Sequence, residues 1–190
     1  MEINVKERNS RTKKMMLWFG MISMAMTFAG LTSAYVVSSS RADWLERFTL
    51  PAVFTYSTIT ILLSSVTFSL ANRKLSQNKL GQFKAMLWLT LALTITFINF
   101  QFQGFSEIIS SGYYFTGAES SITTSFLYVL VLLHLAHVSA GLIVLSVVLI
   151  NAYRNQYSPE KSLGVELAEL FWHFLDFLWL YLFLFVIIYQ

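Results

Sequence analysis

Four polar side chains stand deep inside segments that are otherwise apolar, at spacings that chemistry can use. His134 and His137 lie three apart in HLAHVSAG (134–141). His173 and Asp176 lie three apart in FWHFLDFLWLYLF (171–183). Residues three apart on a helix share a face. Imidazoles and a carboxylate can ligate a metal, relay protons or hydrogen-bond between helices. Two histidines at that spacing plus one elsewhere fall short of the ligand sets that zinc and redox metals take. The chain has no cysteine, so thiolate sites and cysteine nucleophiles are excluded. The expectation is a hydrogen-bonded polar network of His134, His137, His173 and Asp176, with no metal and no catalytic residue. Glu166 and Glu169, also three apart, precede His173. They suit the positive end of a helix dipole, or the sharper role of collecting protons at the cytoplasmic face.

These residues need spanning helices to hold them. Hydrophobic residues make up 56% of the chain and charged ones 12%, against roughly 25% charged in soluble domains. Five apolar stretches stand out, at about 15–37, 50–71, 85–105, 125–150 and 168–189. Each meets the requirement of roughly 20 residues for a membrane span. The expected fold class is all-α, a bundle of five transmembrane helices forming one domain over 1–190. The first stretch is longer than the apolar region of a signal peptide and is expected to stay as the first span.

Of the thirteen Lys and Arg, all but Arg41 and Arg47 fall on one side of such a bundle. They are Lys6, Arg8, Arg11, Lys13, Lys14, Arg73, Lys74, Lys79, Lys84, Arg154 and Lys161. Segment 106–124 has none. The positive-inside rule then puts the N-terminus in the cytoplasm and the C-terminus outside. The net charge of +3 comes from these topogenic residues. They form no concentrated basic face, which argues against a nucleic-acid partner. The N-terminal arm can touch anionic lipid.

Small residues mark how the helices pack. Gly20, Ser23, Thr27, Gly30 and Ala34 step by 3 and 4 along the first span. Ser57, Thr60, Ser64, Thr67 and Ala71 repeat the pattern in the second. In lipid, such seams let backbones approach closely. A substrate path lined by their hydroxyls would need ionisable residues along it, and these two spans carry none. No span is broken by proline; Pro51 sits at the start of the second. Trp18, Trp44, Trp88 and Trp172 lie near predicted ends, as interfacial anchors do, and Trp179 lies inside the last span. Glu107 and Glu119 flank the outer segment and are expected in solvent, Glu107 partly at depth.

Depth suggests a pairing. At about 1.5 Å per residue, His137 lies about 18 Å from the outer edge and Asp176 about 12 Å from the inner one. In a core of roughly 30 Å these are nearly one level. A lone carboxylate there would cost several kcal/mol. Asp176 is therefore expected to pair with His137 or His134 across the fourth and fifth helices, with His173 sharing the network.

No GxSxG, GxxxxGK or GxGxxG pattern occurs. The segment FWHFLDFLWLYLFLFVIIY (171–189), however, closely resembles the last helix of subunit III of haem–copper terminal oxidases. Trp172, His173, Phe174, Asp176, Trp179, Leu180 and Phe183 carry the likeness, and Glu166 stands seven before the histidine, where that family commonly has a glutamate. HLAHVSAG is similar to the family's HGLHVIIG at His134, His137, Val138 and Gly141. TSAYVVSSSRADWLERFTLP (32–51) looks like the loop after the first helix in short bacterial members.

The resemblance covers essentially the whole chain and implies the five-helix form of that subunit, in a bacterial inner membrane. It implies no haem or copper in this chain, with both expected in partner subunits. It also implies direct packing on subunit I, subunit II in the same complex, bound phospholipid, and support of proton uptake and turnover stability. The complex would reduce oxygen to water and pump protons, with cytochrome c as the expected donor; a respiratory supercomplex is a further possible setting. The alternatives are a quinol-oxidase or nitric-oxide-reductase-associated subunit, or a small proton channel or transporter. Two positions depart from the family. Met24 stands where longer members place a membrane-embedded glutamate after G-x-I-x-S, and Gln103 and Glu107 only approximate the family's Q-x-x-E.

Overall fold

A chain in lipid must satisfy its backbone hydrogen bonds within each segment, and this one does so with helices alone. The computed structural model describes residues 2–41, 44, 50–112 and 122–189, with side chains from residue 8 onward. Arg47, Glu119, part of segment 106–124, part of 32–51 and the side chain of Lys6 lie outside the described residues. The helices are α1 (Glu2–Ser38), α2 (Val53–Ser76), α3 (Leu80–Ser110), α4 (Ile122–Tyr153) and α5 (Leu163–Tyr189). All five are long and apolar enough to cross a membrane. They run past the apolar stretches at several ends, because the flanking charged residues also favour helix. The basic arm, for instance, belongs to α1.

The most extensive contact is α2 on α3, an antiparallel hairpin closed by a three-residue turn. Asn78 in that turn takes a left-handed backbone, φ 59°, which asparagine tolerates better than most residues. Asn155 does the same just after α4. Helix α5 packs on α2 and α4, α3 also packs on α4, and among the described residues α1 lies against α4 and α5 only. Two cores follow. One gathers Phe54, Phe97, Phe105, Tyr128 and Trp179. The other gathers Phe68, Phe83, Leu145 and Trp172, nearer the end that carries the basic residues.

The small-residue seam of α2 lies in the bundle: Ser57, Thr60, Ser64 and Ala71 are buried and Thr67 is half-buried. The seam of α1 does not, which corrects the expectation for that helix. Gly20, Ser23, Thr27, Gly30 and Ala34 are all exposed, and a Cβ added at Gly20 or Gly30 would meet nothing within 4 Å. The opposite, bulky face of α1 turns inward. Phe28 enters a cluster with Leu130, Leu178 and Leu182, and Met21 packs on Phe171 and Leu175. Bulky side chains filling the α4–α5 groove gain more dispersion contact than glycines would.

Glycine is required elsewhere. A Cβ at Gly104 would stand 2.5 Å from the buried Phe54 ring, and one at Gly141 would stand 2.9 Å from Leu175. Gly104→Val should therefore destabilise the chain by about 1–3 kcal/mol. Gly30→Val should leave the fold of this chain unchanged. Thermal unfolding of the two variants in detergent checks the contrast.

Candidate functional site

The polar residues at depth assemble between α2 and α5. Each turn of α2 that faces α5 supplies a hydroxyl or amide. His173 sits between Ser65, whose Oγ is 2.5 Å from Nδ1, and Ser69, whose Oγ is 2.9 Å from Nε2. Asn72 donates from Nδ2 to Glu169 Oε2. The other oxygen of Glu169 lies 3.5 Å from His173 Nε2. Asp176 stands one turn further along the same face of α5. Asp176 itself is buried, and its Oδ2 has no hydrogen-bond partner. Glu169, His173 and Asp176 step by 4 and 3, so one stripe of α5 carries all three.

This arrangement corrects the pairing expected from depth. Asp176 does not bond His134 or His137. His134 is fully buried with neither ring nitrogen bonded, and it stands among aromatic rings, 5.1 Å from Trp179 and 6.2 Å from Phe97 between centroids. His137 bonds the Leu133 carbonyl of its own helix through Nδ1, at 2.7 Å, and packs beside Phe28. The levels match, but the faces of α4 and α5 that carry these side chains point in different directions. His173 shares a stripe of α5 with Asp176 and is bonded to Ser65 and Ser69 of α2.

Glu166 and Glu169 also part company. Glu166 accepts from Ser162 at 2.6 Å and pairs with Lys14 at 2.9 Å, tying the arm of α1 to the start of α5. Both partners of that pair are well exposed, so its contribution is small. Glu169 faces α2. Among the described residues no three His, Asp or Glu converge as metal ligands.

Two tryptophans carry more than their positions suggested. Trp179 donates its N–H to Thr58 at 2.9 Å and stacks between α2, α3 and α4, near Phe54, Phe97 and His134. Trp172, expected at the interface, is instead buried and donates to Ser64 at 3.1 Å. A membrane helix hides an indole readily when a hydroxyl on its neighbour satisfies the N–H. Trp18 and Trp88 are exposed, and Trp88 bonds the Tyr153 hydroxyl. Glu107 and Gln103 are both exposed on α3.

Ser65, Ser69, Asn72 and Thr58 were not singled out by sequence reasoning. A signal is present: Ser65, Ser69 and Asn72 step by 4 and 3 in an apolar helix, just beside the seam of Ser57, Thr60, Ser64, Thr67 and Ala71. The carboxylates and the imidazole of the strip come from α5.

Comparison with known proteins gives this site a family. A sequence model described as cytochrome c oxidase subunit III matches residues 21–190. Cytochrome c oxidase subunit 3 of Bacillus sp. (strain PS3) is 31% identical over 191 residues, covering 93% of this chain and 87% of that one. The same subunit of Alkalihalophilus pseudofirmus is 31% identical, covering 83% and 73%. Cytochrome bo(3) ubiquinol oxidase subunit 3 of Pseudomonas aeruginosa is 29% identical, covering 87% and 79%.

An imidazole without partners gives α4 no polar stabilisation. His134→Leu should stay within about 1.5 kcal/mol of wild type. Trp179→Phe, which deletes a helix-to-helix hydrogen bond, should couple to Thr58→Val by about 0.6 kcal/mol and at most about 1.7. A double-mutant cycle on thermal unfolding reads both.

Proposed function

The chain belongs to the cytochrome c oxidase subunit III family, and from that premise we propose that it is the non-catalytic third subunit of a haem–copper respiratory oxidase. The complex reduces oxygen to water and pumps protons. This subunit packs on subunit I, shares the complex with subunit II, and sustains proton uptake and stable turnover. It holds no haem or copper; those belong to the partner subunits. The observation that carries the reading is the family match over residues 21–190, which takes in the whole polar strip of α2 and α5.

The geometry is in keeping with a supporting role. The strip is bonded within the chain, side chain to side chain, and its groups lie along a line instead of converging on one point. The similar proteins are named as both cytochrome c and ubiquinol oxidase subunits. The role proposed is the one common to both. The basic residues at one end of the bundle support an orientation with that end, and the N-terminus, at the cytoplasmic side of a bacterial inner membrane. Phospholipid fills the outward faces that the bundle leaves apolar.

Purification in mild detergent tests the proposal. Haem and copper should co-purify with this chain on larger subunits. Removing the chain should leave an oxidase that starts at its normal rate and then loses activity faster during turnover. A chain that purifies alone, monodisperse, and conducts protons in liposomes would contradict the reading.

A further inference from the structure

We propose that Asp176 is the blind end of a proton-exchange path that opens at the basic end of the bundle and runs through His173 and Ser65. The inference goes beyond the oxidase reading and concerns only residues of this chain. Its first support is continuity. Glu169, held by Asn72, lies 3.5 Å from His173 Nε2, and His173 Nδ1 lies 2.5 Å from Ser65 Oγ. Asp176 follows His173 by one turn on the same stripe of α5, and Ser65 and His173 are the side chains that act on its carboxyl. Imidazole and hydroxyl can each accept one hydrogen and release another, and a carboxylate can hold one.

The second support is access. An open groove of about 280 Å³ runs along Ser65, Val66, Ser69, Leu70, Arg73 and His173. Hydroxyls, Arg73 and His173 line it beside Val66 and Leu70, and it has room for several waters at about 30 Å³ each. Arg73, in the last turn of α2, stands at its basic end. The third support is the terminus. Asp176 is 3% exposed and its Oδ2 is unpartnered. Further along α2 and α5, Thr58 and Trp179 bond each other, and an indole N–H donates without accepting. The path therefore stores a proton and conducts none onward.

The step balances without any other reactant. A proton enters His173 at Nε2 from water or Glu169. Nδ1 gives its hydrogen to Ser65 Oγ, and Ser65 gives its own to the Asp176 carboxylate. Release reverses each transfer. The titratable and charged groups that line the groove are His173 and Arg73, with Glu169 3.5 Å from His173. On α4, His134 and His137 turn to aromatic rings and to their own backbone. On α1, Lys14 is held by Glu166.

Infrared difference spectroscopy of the whole purified complex tests this. The carboxyl C=O band that Asp176→Asn removes should shift on transfer to deuterated water. His173→Phe or Ser65→Ala should slow that shift about a hundredfold, as loss of a positioned proton carrier does. Thr58→Val, beyond the blind end, should not slow it. If His173→Phe fails to assemble, Ser65→Ala, which deletes one oxygen, decides the matter. Exchange at the wild-type rate in Ser65→Ala overturns the proposal, as does the lack of any Asp176-dependent carboxyl band across the pH range. Oxygen consumption by the same preparation reports separately on the oxidase reading.

Discussion

Helix α2 hydrogen-bonds its neighbours on two sides at once, and the rest of the bundle is arranged around that fact. Toward α3 it offers Thr67 to Thr90 and Ser57 to Gln101, both at 2.8 Å. Toward α5 it offers Thr58, Ser64, Ser65, Ser69 and Asn72. Within lipid there is no hydrophobic drive between helices, so dispersion and such bonds must hold them. Most of these hydroxyls also bond a carbonyl one turn back, so none is left bare at depth. The registry of α5 against α2 is set by five partners spread over four turns. A slip by one residue would break all of them.

This constraint explains where the other helices lie. With its polar faces taken by α3 and α5, α2 leaves α4 to close the bundle through aromatic packing. Phe97, His134 and Trp179 meet there, and Gly141 lets α4 approach Trp172 and Leu175. Helix α1 comes last. It adds bulky side chains and, among the described residues, two polar links, Thr32 to Tyr181 at 2.7 Å and Lys14 to Glu166 at 2.9 Å, and turns its small residues away from the bundle.

Hydropathy runs are long and unambiguous in this chain, so the number of spans was legible, and so was the singularity of His173 and Asp176. Helix ends were less so, because apolar length marks the membrane and not the helix. Counting residues gives height along the membrane normal. It does not give the angle around each helix, which depends on the partner. That is why His137 and Asp176 matched in level and yet do not meet. The two small-residue seams show the same limit. In α1, Gly20 to Ala34 and Met21 to Tyr35 both step by 3 and 4, so periodicity cannot say which face is buried. In α2 the seam's hydroxyls had named partners waiting on α3 and α5, and the buried face followed from them.

The family relation and the internal geometry meet in the α2–α5 strip, where Trp172, His173, Asp176 and Trp179 all face hydroxyls of α2. On this account, residues that look like an active site are tied down by their own chain, and the chemistry of the complex lies in its neighbours. The most direct measurement is an experimental density map of the assembled oxidase at a resolution that shows side chains. It should place His173 between Ser65 and Ser69, with Asp176 turned to α2. A map with Asp176 bonded to His134 or His137 on α4, or with His173 ligating a metal, would contradict the account.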